Sequence, residues 1–70
     1  MDITEDFYLE RIASASNKKH WRIREYRTLI EREISEYRLN AYNNRGTNLA
    51  SLYNHNANML EKKLEEALQK

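Results

Sequence analysis

This sequence predicts an all-α fold, a helical hairpin or small three-helix bundle with coiled-coil-like packing, and three observations lead there. The chain has one glycine, Gly46, and no proline in seventy residues. Those two residue types are the strongest local breakers of regular structure, so the chain has one well-marked corner. Its large aliphatic residues are eight leucines and five isoleucines, with no valine, set among abundant Glu, Lys, Arg and Ala. That set favours helix over strand. On both sides of Gly46, apolar residues recur at spacings of three and four, the pattern of a helix with one buried face.

A first helix is predicted over about 4–15. Asp2 has Glu5 three residues on, a capping-box spacing, and Glu5 and Asp6 lie where acids favour the positive end of the helix dipole. Ala13-Ser14-Ala15-Ser16-Asn17-Lys18 is a softer stretch in which Ser16 or Asn17 can cap a new helix. Taking about 100° per residue, Tyr8 and Ile12 stay in phase with Ile23, Tyr26, Ile30, Ile34, Tyr37 and Ala41, interrupted by Lys19. A single helix of roughly forty residues is thus the rival to a break near 14–18. The break is the preferred reading, because one uninterrupted helix leaves its first third without an intramolecular partner.

The second helix is predicted over about 17–42. Arg27 with Glu31 and Arg32 with Glu36 are spaced for surface ion pairs, each worth about 0.2–0.5 kcal/mol. The bend falls at about 43–48, where Asn43-Asn44-Arg45-Gly46-Thr47-Asn48 supplies turn and capping residues. A third helix follows over about 48–69, capped by Thr47 or Asn48. Its expected inner face is Leu49, Leu52, Tyr53, Asn56, Met59, Leu60, Leu64 and Ala67, with Lys62–Glu66 and Glu66–Lys70 pairs outside. The whole chain reads as one domain.

Composition narrows the functional classes. A core of this size supplies only about 3–5 kcal/mol, and small chains make up the difference with disulfides, metal or oligomerisation. No cysteine is present, so disulfides and thiolate metal sites are excluded. Two histidines, His20 and His55, are too few for a structural zinc site without carboxylate help. At helical rise they fall roughly 25 Å apart along an antiparallel hairpin, which removes a histidine-pair site. Self-association as a homodimer or higher oligomer, or docking on a larger partner, is the expected source of burial. The expected seam is Ile30, Ile34, Tyr37, Asn56, Leu60 and Leu64. Asn56 sits within an apolar stripe, where a polar residue either sets coiled-coil register or marks a solvated edge.

No apolar run approaches the roughly 20 residues that cross a bilayer, and the acidic start lacks a secretory or myristoylation pattern. No membrane contact and a cytoplasmic location are expected. No metal-protease, phosphate-loop or nucleophile-elbow motif occurs, so neither catalysis nor a cofactor is expected. Eight asparagines and the missing cysteine, valine and proline would suit a small AT-rich genome such as a phage's.

The segment 17–27 concentrates the chemistry. Lys18, Lys19, His20, Arg22, Arg24 and Arg27 surround Trp21 and Tyr26, with Glu25 the one acid. Tryptophan, tyrosine and arginine are enriched at binding hot spots. Trp21 and Leu39 fall opposite the main stripe of the second helix. The expected partner surface is therefore Trp21, Arg22, Arg24 and Tyr26, extended toward the turn by Leu39 and Tyr42. This makes the chain a small protein-binding module, a regulator or inhibitor that covers a partner. The first alternative is nucleic-acid binding through Lys18, Lys19, Arg22, Arg24 and Arg27, since cations neutralise phosphates and aromatics stack on bases. Against it, those bases do not gather on one helix face, and Asp2, Glu5, Asp6 and Glu10 could fold back on them. A coiled-coil element of a larger assembly is the remaining alternative.

Overall fold

The structure is a computed structural model that describes the backbone of residues 3–70 and the side chains from residue 4 onward. Three helices follow one another: α1 (Ile3–Ser14), α2 (Trp21–Asn43) and α3 (Asn48–Gln69). At about 1.5 Å per residue they are roughly 18, 34 and 33 Å long. α2 and α3 form the hairpin predicted from Gly46, and α1 packs on both. The molecule is elongated, 43 × 19 × 17 Å.

The break before α2 is real, but it is longer than the sequence suggested. α1 ends at Ser14 and α2 begins only at Trp21, four residues beyond the expected start at 17. Asn17 does not cap α2. Its side-chain Oδ1 accepts the Lys19 N–H at 2.9 Å and its carbonyl accepts the His20 N–H at 3.2 Å, which closes a turn instead. The cap is His20, whose Nδ1 accepts the Arg22 N–H at 3.2 Å. The capping box expected of Asp2 lies outside the described residues.

At the corner, the Asn44 N–H reaches the carbonyls of Asn40 and Ala41, and the Arg45 N–H that of Tyr42. Gly46 follows at φ 84°, in the left-handed region where a side chain costs about 1–2 kcal/mol. Nothing lies within 4 Å of where a Cβ would stand, so the need for glycine here is conformational rather than steric. Thr47 precedes α3 as expected, but its hydroxyl donates to the Asn44 carbonyl at 2.6 Å instead of capping the helix.

The core lies between the three helices. Leu9 and Ile12 of α1 meet Ile23, Ile30 and Ile34 of α2 and Ala57, Leu60, Leu64 and Ala67 of α3. The alanines present little side-chain bulk where the helices meet, and Ile12, Ile30 and Leu60 are the largest fully buried side chains. This revises the self-association seam. Ile30, Ile34, Leu60 and Leu64 face the chain's own helices, because α1 supplies the third face that an isolated hairpin would lack. Tyr37 and Asn56 are half-buried at the end of that core.

Of the expected surface pairs, Arg27–Glu31 forms at 2.7 Å. Among the described residues, Arg32–Glu36, Lys62–Glu66 and Glu66–Lys70 do not. Such exposed pairs gain little against the entropy of fixing two long side chains. A cross-helix pair that local spacing does not reveal, Arg38–Glu61 at 2.7 Å, ties α2 to α3 instead.

α1 runs from the open end of the hairpin only partway to the corner. Its Glu5 lies at the level of Tyr37 and Asn56, some two helical turns short of the bend. Leu49 and Leu52, expected on the inner face of α3 and nearer the bend, are exposed, as is Met59, which borders the Glu5 cavity. Leu49 is on the same stripe as Leu60 and Leu64, yet it is 49% exposed because no third helix covers it.

Candidate functional site

The turn between α1 and α2 assembles the basic–aromatic segment. Trp21 opens α2 and is 60% exposed. It is nevertheless held: the His20 ring stacks on it at 5.8 Å, and the Arg22 guanidinium lies over the indole at 5.3 Å. A cation over an exposed indole is worth about 0.5–1 kcal/mol, enough to bias its orientation without hiding it. Beside it a shallow groove runs along the outer face of α2 past Arg24, Glu25, Thr28, Leu29 and Arg32.

The other expected contact residues are divided between different surroundings. Tyr26 also borders that groove, but its ring is half-buried, stacked on Tyr8 at 5.2 Å and edge-on to Phe7 at 6.1 Å. It therefore joins α1 to α2 and is not a free contact. Leu39 and Tyr42 are exposed. Leu39 shares the outer face of α2 with Trp21, but eighteen residues of helix place them roughly 27 Å apart. The charged residues Arg24, Glu25 and Arg32 lie between. The single surface read from the sequence is two surfaces, one at each end of α2.

Among the cations, Lys18 has a role that residue types alone did not suggest. Its Nζ donates to the carbonyls of Ile12, Ala13 and Ala15 at 2.7, 3.0 and 2.9 Å. Those are carbonyls at the C-terminus of α1, which has no further turn to satisfy them. A cation there is also favoured by the helix dipole. The clue in the sequence was a lysine shortly after a stretch of Ala, Ser and Asn, since basic residues near helix C-termini often bond the last carbonyls. Arg27 is engaged with Glu31. Of the five cations considered for phosphate binding, Lys19, Arg22 and Arg24 remain outward-facing.

Asp2 lies outside the described residues, and Glu5, Asp6 and Glu10 do not fold back on this segment. Glu5 is 5% exposed and accepts a long hydrogen bond of 3.3 Å from the Tyr37 hydroxyl, while its Oε2 is buried without a hydrogen-bond partner. It helps line a small cavity of about 210 Å³ with Tyr37, His55, Asn56, Met59 and Lys63. Asp6 and Glu10 lie along a groove shared with Lys63 of α3 and with Lys70 just beyond its end. His20 and His55 line different cavities, at opposite ends of α1. No group of three or more His, Asp or Glu that could hold a metal ion occurs among the described residues. Among the described residues no helix is long and apolar enough to cross a membrane.

Comparison with protein-family models, with curated proteins and with solved structures finds no match to this chain.

Proposed function

We propose that the chain is a non-enzymatic helical protein-binding module, a regulator or inhibitor that works by covering the surface of a partner protein. The observation that carries this reading is Trp21: a large indole, exposed at the first residue of α2, with the His20 ring and the Arg22 guanidinium against it. A tryptophan fixed before binding loses little conformational freedom on docking and can bury about 150–250 Å². Arg22 and Arg24 flank it, so the matching partner surface is an apolar pocket rimmed by carboxylates.

Replacing Trp21 and Arg22 together with alanine is the direct test. Hot-spot truncations of this kind cost 2 kcal/mol or more, roughly a thirtyfold loss of affinity. A partner captured from the native cells by the parent chain is expected to be lost by the double variant, whose circular dichroism and melting temperature stay unchanged. Unfolding of the variant would mean that these residues hold the fold, and the assignment would be wrong.

Nucleic-acid binding is the weaker alternative, because Lys18 and Arg27 already have partners within the chain. With three outward-facing cations, it requires a log–log salt dependence of affinity of about −2 to −3. A titration at low salt that detects no binding to DNA or RNA eliminates it.

A further inference from the structure

Residues 11–24 carry Arg11, Lys18, Lys19, Arg22 and Arg24 and no aspartate or glutamate. The turn between α1 and α2 folds part of this run around an open cavity of about 390 Å³. Its polar lining comes from three elements: Arg11 and Ser14 of α1, Ser16, Asn17 and His20 of the turn, and Arg22 of α2. No carboxylate lines it. Ile3, where α1 begins, stands roughly 12 Å before Arg11 along the helix axis, so the cavity is at the opposite end of α1 from that residue.

The lining groups are left as donors. The Arg11 guanidinium lies over the Phe7 ring at 5.2 Å and that of Arg22 over Trp21 at 5.3 Å. Neither is paired with a carboxylate among the described residues. A ring leaves the charge unneutralised and gives the N–H donors of a guanidinium no oxygen acceptor. The Asn17 Oδ1 accepts the Lys19 N–H, which leaves the amide group of that side chain to donate. His20 Nδ1 accepts the Arg22 N–H, which puts the proton of the neutral ring on Nε2. α2 also has no acid in its first turn, so the positive end of its dipole adds to the field at the cavity.

We infer that this cavity is a binding site for a phosphate monoester. Such a group carries about −1.5 to −2 charges at neutral pH and three strong acceptor oxygens. That matches two unpaired guanidiniums with side-chain donors between them. A carboxylate or a nucleic-acid backbone phosphate brings a single charge, and the backbone phosphate continues as a strand on both sides instead of ending in a recess. The site stands apart from the Trp21 reading. Arg22 serves both, but Arg11 lines the cavity and takes no part in the groove beside Trp21, so either can fail alone.

An amide NMR titration of the intact chain with methyl phosphate, at constant ionic strength in chloride, tests the inference. Saturable shifts are expected at Ser14, Ser16, Asn17 and Arg22, with weaker binding of dimethyl phosphate and of acetate. Arg11→Gln and Arg22→Gln, both at exposed positions, are each expected to weaken binding about tenfold or more, the loss of a charge-assisted hydrogen bond, with helical circular dichroism unchanged. If one of them unfolds, the other gives the same reading. Lys62→Gln, which removes an exposed cation of α3, is expected to bind like the parent. A capped phosphoserine peptide separates the sources of the group, and either result sustains the site. Binding tighter than that of methyl phosphate places the group on a protein side chain whose neighbours also meet Trp21, and binding no tighter places it on a small molecule. The inference is overturned by a titration without saturable shifts at the cavity, by binding that the folded glutamine variants leave intact, or by a loss that Lys62→Gln reproduces. Dimethyl phosphate binding as well as methyl phosphate overturns it too, as the mark of a nucleic-acid backbone site.

Discussion

Ile30→Ala is expected to leave the chain largely unfolded at 37 °C. Ile30 is 1% exposed and sits midway along α2, in the core that α1, α2 and α3 share. Truncating a buried isoleucine to alanine costs about 2–5 kcal/mol, the lost transfer energy plus the cavity left behind. A core of this size supplies only about 3–5 kcal/mol in all. Ile30→Val, which removes one methyl group and costs about 0.5–1.5 kcal/mol, should stay folded and melt some degrees lower. Thermal melts by circular dichroism at several protein concentrations check this. The loss caused by the substitution should persist at every concentration, because the residue packs within one chain. A defect that concentrated protein fully repairs would return Ile30 to a seam between subunits.

Lys18→Met is expected to destabilise the chain by about 1.5–3 kcal/mol, the range for hydrogen bonds to a charged group. Methionine keeps most of the apolar stem but removes the ammonium that serves three carbonyls of Ile12, Ala13 and Ala15. At about 4–8 °C per kcal/mol for a domain this small, the melting temperature should fall by about 6–24 °C. Hydrogen exchange should show where: the amides of α1 lose protection first, while those at the middle of α2 and α3 fall only with global stability. An unchanged melt would mean that Lys18 does not cap α1. Lys19→Met is the natural control. Lys19 is exposed, with no side-chain bond to the helix end, and its replacement should shift stability by less than about 0.5 kcal/mol.

These two residues illustrate what could be read from the sequence. Ile30 was legible as a buried position from its place in a run spaced by threes and fours. What it was buried against was not legible, because periodicity gives the direction a side chain faces and says nothing about which helix it meets. Lys18 was legible only as a cation in a basic segment. Its reach to the end of α1 depends on the path of the turn at 15–20, which brings the ammonium back onto carbonyls three to six residues earlier. Tyr26 changes role for a similar reason: the rings that claim it, Phe7 and Tyr8, lie on another helix. Trp21 was legible as an outlier, since it stands opposite the stripe of its own helix, and no third helix reaches that side.

The sequence by itself left open whether the chain before the corner is one helix or two, and it determined the all-helical class, the corner at Gly46 and the stripe that α2 turns inward. Those follow from local chemistry, from one glycine able to take a positive φ and from apolar spacing. Only the tertiary structure decided how far each apolar stripe is covered. α1 has twelve residues against twenty-three in α2, so among the described residues it closes the core at one end, while Leu49 and Leu52 nearer the bend are exposed. Helix pairing is long-range, and a stripe reads the same whether or not a neighbour is long enough to bury it.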